Sequence, residues 1–167
     1  EGRAAIGWDD VEQPDADHLH RGIGMALSAQ GTGVAGDELG AAQIMMNEDG
    51  SFHLQVGGVD IGTVADTAFL QIAAEVLGCD EDDIIVKSSD TDVTPFDYGA
   101  YASSTTYISG MAVKKAAEDA KERILDWGAK LLEEPVDVLE TGDGTVYSER
   151  SGNSVTLEDI GYEAAYG

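Results

Sequence analysis

The chain has 167 residues, 43% of them hydrophobic, which fits a modest core in one domain or a piece of a larger protein. Its 33 acids against 9 bases give a net charge of −24, which excludes nucleic acid and anionic membranes as general surface partners, because phosphate binding needs a basic footprint. No apolar run approaches the roughly 20 residues of a membrane span, no charged-then-apolar leader opens the chain, and Cys79 alone makes neither a disulfide nor a thiolate cluster for a metal.

These limits point to a cytoplasmic protein. The acids are spread through periodic segments instead of forming one acidic tail, which suggests a surface adapted to high salt, where the screening length falls to about 3 Å at 1 M.

Residues 1–17, EGRAAIGWDDVEQPDAD, read as an incoming linker or the tail of a preceding element. From His18 to Ala29, HLHRGIGMALSA alternates loosely and is expected to be a strand, with His18 and His20 on one face as two polar positions. Two apolar runs around Asp49-Gly50 predict a hairpin, so residues 18 to 58 read as a three-stranded meander. From Asp66 the period changes: Ala68, Phe69, Ile72, Ala73, Val76 and Leu77 mark one buried helix face, which Gly78 closes. A strand at IIVKSSD follows. A helix of 20 residues or more starts after the hydroxyl run Ser103-Ser104-Thr105-Thr106, with Ile108, Met111, Ala112, Lys115 and Ala116 at helical spacing. A hairpin around Asp143-Gly144 and a short helix introduced by Thr156 end the chain. The expected class is α+β: a layered mixed sheet with hairpins and two main helices.

Two loops precede the two main helices, Asp60 to Thr67 and Gly99 to Thr106. Helix starts hold anions without any lysine, through free amides and the positive end of the helix dipole. Composition alone favours plain capping, by Asp66 or Thr67 in the first helix and by Ser103 or Thr105 in the second. Neither loop carries a Rossmann or Walker fingerprint, which argues against nucleotide hydrolysis. Calcium-loop spacing from Asp90 fails too, since Pro95 stands where the turn glycine belongs. Asp60, Asp66 and Asp97 flank the loops as candidate acids or bases, with solvated or capping carboxylates as the plainer reading.

The string DIGTVADTAFLQIAAEVLG, followed by DTDVTPFDYGAYASSTTYISGMAVKKAA and preceded by RGIGMA and NEDGSFHLQVGG, resembles the molybdenum-cofactor-binding large subunit of the xanthine dehydrogenase and aldehyde oxidase family. Within that family it looks most like bacterial-type members acting on purines, nicotinate or hydroxybenzoyl-CoA. The resemblance implies a molybdopterin-type cofactor wrapped by the two loops, with Gly62 and Thr63 in the first and Ala102, Ser103 and Thr105 in the second. It implies iron–sulfur clusters and FAD on partner subunits, and hydroxylation of a heteroaromatic or aldehyde by the whole enzyme using water.

Three departures from the family stand out. Its G-Q-G is Gly62-Thr63-Val64 here, and a β-branched valine is expected to avoid positive φ. Ser104 stands where many relatives carry arginine. The family's catalytic glutamate lies in a downstream G-E motif that this chain lacks, so residues 18–167 read as a partial molybdopterin-binding domain without a catalytic residue, and the isolated chain is expected to be inactive. The rival readings are a non-enzymatic acidic scaffold or partner-binding module retaining the fold, and a small hydrolase using loop Asp or Ser residues.

Overall fold

The computed structural model describes residues 1–31 and 38–167, which form two compact units, Glu1–Gln30 and Gly31–Gly167. The first unit contains one short helix, α1 (Gly2–Ala5), and an Arg3–Asp9 ion pair. The strand expected over His18–Ala29 is not formed. A strand exists only against a ladder partner, and here the Gln13 side-chain amide does that work for one residue, donating to the Arg21 carbonyl at 2.8 Å and accepting its amide at 3.1 Å. Leu27 is 94% exposed, so the segment's apolar alternation has no layer to pack on within its unit.

The second unit follows the pattern of local periodicity closely. β1 (Ala42–Met46) and β2 (Phe52–Val56) pair antiparallel around the Asp49-Gly50 turn, and β3 (Ile84–Ser88) adds parallel to β2. The sheet order is therefore β1-β2-β3, a mixed sheet with α2 (Ala65–Leu77) as the crossover between its parallel strands. Gly78 ends α2 in the left-handed region at φ 74, where an added Cβ would also lie 2.8 Å from the Thr141 carbonyl carbon. Alternate β2 residues Phe52, Leu54 and Val56 are fully buried beneath the helices, while His53 and Gln55 face the other way.

The longest element is α3 (Thr105–Leu132), whose 28 residues span roughly 40 Å. Its first half packs on α2 and on β1 and β2 through Val113 and Ala117. Its second half meets a separate antiparallel sheet of β4 (Leu139–Gly142), β5 (Thr145–Ser148) and β6 (Ser154–Thr156). The Glu134 carboxylate ties the end of α3 to that sheet, accepting from the Ser148 and Ser151 hydroxyls and pairing with Arg150. α4 (Leu157–Tyr166) is capped by Thr156, whose hydroxyl accepts the Asp159 amide at 3.0 Å. The class is α+β, as expected, with two small sheets in place of one. No helix among the described residues is long and apolar enough to cross a membrane.

Because Leu54 sits fully buried at the centre of this packing, Leu54→Ala is expected to cost about 2–5 kcal/mol, read as a lower denaturant midpoint. Ile85→Ala, on the exposed face of β3, is expected to stay within about 0.5 kcal/mol of the parent.

Candidate functional site

The chain leaves β2 through Gly57 and Gly58, and these two residues set how closely the strand end approaches the segment before the second loop and the helices α2 and α3. A Cβ on Gly57 would sit 2.3 Å from the Pro95 carbonyl oxygen and 2.7 Å from Asp97 Cβ. A Cβ on Gly58 would lie 2.8 Å from the Phe69 ring and 3.1 Å from Ser109 Cβ. A side chain at Gly57 would therefore displace the Pro95–Asp97 segment that leads into the second loop, and one at Gly58 would press on Phe69 of α2 and Ser109 of α3. Across this contact Asp97 acts as a clamp: one carboxylate oxygen accepts the Gly99 amide at 2.8 Å, and the other accepts the hydroxyl of Ser109 in α3 at 2.6 Å. Ser109 is only 2% exposed. Its role was open to notice in the sequence as a hydroxyl inside the apolar run of ISGMAV, where only a buried partner makes it tolerable.

The capping expectations do not hold at either helix. Val64, not Asp66 or Thr67, stands at the N-cap of α2, with φ 59 and ψ 33 and no side-chain cap. The valine thus adopts the positive φ that its β-branch disfavours, at a cost of about 1–2 kcal/mol. The compensation is nearby: one Asp60 carboxylate oxygen accepts the amides of Gly62 at 2.7 Å and Thr63 at 2.9 Å and so fixes the turn. Those two amides, Gly62 first, hold the Asp60 carboxyl below its ordinary 3.8. Asp66 lies in the first turn of α2, with Oδ1 buried and without a hydrogen-bond partner among the described residues.

At α3 the N-cap is Ser104, again without a cap bond, because its hydroxyl donates back to the Tyr101 carbonyl at 3.0 Å. Ala102 and Ser103 precede it at φ 50 and φ 59, and Ser104 returns to φ −102. Such reversals turn successive amides into one concavity suited to an anion. The amides of Thr105, Thr106 and Tyr107 have no acceptor among the described residues. Neither loop contains lysine or arginine. Both helices leave first-turn amides without a hydrogen-bond acceptor among the described residues, Ala65 to Thr67 in α2 and Thr105 to Tyr107 in α3, and the loops differ in that Asp60 takes the Gly62 and Thr63 amides before α2. No cluster of three or more His, Cys, Asp or Glu able to hold a metal occurs among the described residues.

Residues 1–167 match the family model described as the molybdopterin cofactor-binding domain. The chain belongs to that family. It is 39% identical over 167 residues to the probable hypoxanthine oxidase XdhD of Escherichia coli K12, covering 100% of this chain and 17% of that protein. It is 35% identical over 173 residues to the putative xanthine dehydrogenase molybdenum-binding subunit XdhA of the same organism, covering 99% of this chain and 23% of that protein. The chain therefore spans less than a quarter of the length of these relatives. Among solved structures, the reconstituted CO dehydrogenase from Oligotropha carboxidovorans superposes with a TM-score of 0.70 at 26% identity, over 75% of this chain and 16% of that one. Quinoline 2-oxidoreductase from Pseudomonas putida 86 shares the fold with a TM-score of 0.72, over 77% of this chain and 16% of that one.

A molybdopterin-type cofactor is an anionic phosphate joined to a heterocycle rich in N–H groups, and the molybdopterin-binding domain has donors for the first and acceptors for the second. The open start of α3 fits the phosphate, and the orphaned Asp66 oxygen fits an N–H. The amides of Gly62 and Thr63 do not fit the phosphate, because the Asp60 carboxylate already occupies them.

The clamp yields a prediction. Ser109→Ala leaves one Asp97 oxygen without its donor and is expected to cost about 1–3 kcal/mol, seen as a lower thermal midpoint; a midpoint equal to the parent's removes the clamp from the account.

Proposed function

We propose that this domain forms part of the cofactor cradle in a molybdenum hydroxylase large subunit, with the start of α3 seating the cofactor's phosphate. The observation that carries the reading is the unclaimed amide set of Thr105 to Tyr107 behind consecutive positive φ values at Ala102 and Ser103, in a chain matched end to end by the molybdopterin-binding family. In this reading Ala102, Ser103 and Thr105 bind the phosphate through backbone amides and small hydroxyls. Gly62 and Thr63 border the heterocycle, where Gly62 lets it approach the backbone and the Thr63 hydroxyl supplies one polar contact. Asp66 accepts an N–H from the same ring.

When bound, the cofactor supplies the metal at which the whole enzyme hydroxylates a heteroaromatic of purine or nicotinate type, or an aldehyde, with water as the oxygen source. This domain's residues bind and orient that group; none of them serves as acid or base. The electrons leave through iron–sulfur clusters and FAD on partner subunits, and the assembly works in the cytoplasm. The names of the relatives, among them a hypoxanthine oxidase, a xanthine dehydrogenase subunit and a nicotinate dehydrogenase subunit, support this substrate class. The net charge of −24 supports a high-salt cytoplasm.

Two predictions test the reading. In the full-length enzyme, Ser103→Asp places a carboxylate against the phosphate, while aspartate tolerates the positive φ of that position. Molybdenum content by elemental analysis is expected to fall at least about tenfold, equivalent to roughly 1.4 kcal/mol of binding, with the thermal midpoint little changed; a folded variant with full occupancy contradicts the phosphate seat. The second prediction concerns salt: the unfolding midpoint is expected to rise steeply as potassium chloride goes from low to molar concentration, and a flat profile removes the high-salt reading.

A further inference from the structure

Every residue from Gly99 to Thr106 is glycine, alanine, serine or threonine except Tyr101. Small residues let a backbone approach a ligand, so one aromatic ring in their midst has a separate cause. The core does not supply it. Tyr101 is 45% exposed and belongs neither to the buried cluster nor to the hydrophobic residues packed against it. Phe96 and Tyr98 pair edge to face at 5.3 Å, which leaves the Tyr101 ring without an aromatic partner among the described residues.

The backbone holds this residue beside the start of α3. The Tyr101 carbonyl accepts the Ser104 amide at 3.1 Å and the Ser104 hydroxyl at 3.0 Å, which closes a four-residue turn. Ala102 and Ser103 stand at its centre with φ 50 and φ 59, the pattern of a type I′ turn, whose ends lie within about 7 Å of each other. Ser104 is the N-cap, and the free amides of Thr105 to Tyr107 follow it directly. Holding Ala102 and Ser103 at positive φ costs about 1–2 kcal/mol each, and strain of this kind gathers in ligand-binding segments. The far end of the Tyr101 side chain is turned to protein. Its phenol faces the Glu38 and Asp97 carboxylates in a narrow cleft that Tyr98, Gly99 and Ile108 also line. Loss of water around the phenol, and then the Glu38 charge, push it above its ordinary 10.0. The hydroxyl is thus the sheltered end, and the exposed surface of Tyr101 belongs to the ring.

We infer that Tyr101 is a further cofactor-contact residue, its ring packing against the heterocycle joined to the phosphate at the start of α3. The inference rests on the phosphate seat proposed above. A phosphate set on the α3 amides brings the flat, polarisable heterocycle bonded to it beside a ring that stands one turn away. No other side chain between Gly99 and Thr106 is large enough to offer it such a surface.

Hydroxyl-radical labelling of the full-length protein, compared between its cofactor-loaded and cofactor-free forms, tests this, with the exposed Tyr162 of α4 as internal reference. Labelling of Tyr101 is expected to fall at least about threefold on loading, because binding sites bury about 70–90% of a ligand's surface. Equal labelling in the two forms overturns the proposal, whether it is high because the ring stays in water or low because protein already covers it. In the loaded enzyme, Tyr101→Ala is expected to lose molybdenum on dilution at least about threefold faster than Tyr101→Phe, which keeps the ring. Equal loss from the two variants overturns the proposal as well. Amide exchange of Thr105 to Tyr107 in the same two forms reads the phosphate seat separately. Slowed amides with unchanged Tyr101 labelling remove Tyr101 and keep the seat, whereas unchanged amides remove the seat and the proposal together.

Discussion

Gly57 and Gly58 have no side chains, and the close approach of the β2 exit to the Pro95–Asp97 segment and to the two main helices exists because of that. The Pro95–Asp97 segment passes so close to Gly57 that a single methyl group there would overlap it, and a methyl group on Gly58 would overlap the Phe69 ring. Asp97 then holds the approach by accepting one hydrogen bond from its own loop and one from the first turns of α3. Everything proposed about the site hangs on this arrangement. It fixes where α3 begins, and hence where the amides of Thr105 to Tyr107 open, relative to the turn that Asp60 organises before α2.

The same arrangement explains how an acidic protein can accept an anion. With 33 acids and 9 bases, and none of those bases in either loop, a phosphate cannot be held by direct charge pairing there. Backbone amides carry fixed partial charge that does not depend on side-chain composition, so a helix start can keep its donor character inside a strongly negative protein. The loops differ through their side chains: Asp60 takes the Gly62 and Thr63 amides of the first, and no carboxylate takes the Thr105 to Tyr107 amides after the second.

Much of the fold was legible in the sequence because it is local. The face of α2, the hairpins at Asp49-Gly50 and Asp143-Gly144, and the Thr156 cap of α4 all announce themselves within a few residues. What failed depended on partners far along the chain or on competition between neighbours. The His18–Ala29 segment alternates like a strand but forms none among the described residues. The caps were misplaced because α2 begins at Ala65, so that Asp66 and Thr67 lie inside its first turn, and because Ser104 spends its hydroxyl on Tyr101. Val64 shows the limit of residue preference, since an energetic penalty near 1–2 kcal/mol is readily offset when two hydrogen bonds fix the adjoining turn. The Asp97–Ser109 clamp spans twelve residues and left only the oddity of a serine on an apolar face.

If the cofactor's phosphate rests on the start of α3, a crystal structure of the full-length, cofactor-loaded protein measures it directly. Phosphate oxygens are expected about 2.7–3.2 Å from backbone amides between Ser103 and Tyr107, with the Asp60 carboxylate still bound to the Gly62 and Thr63 amides. A phosphate held elsewhere, with the α3 amides facing solvent or a protein carboxylate, would contradict it.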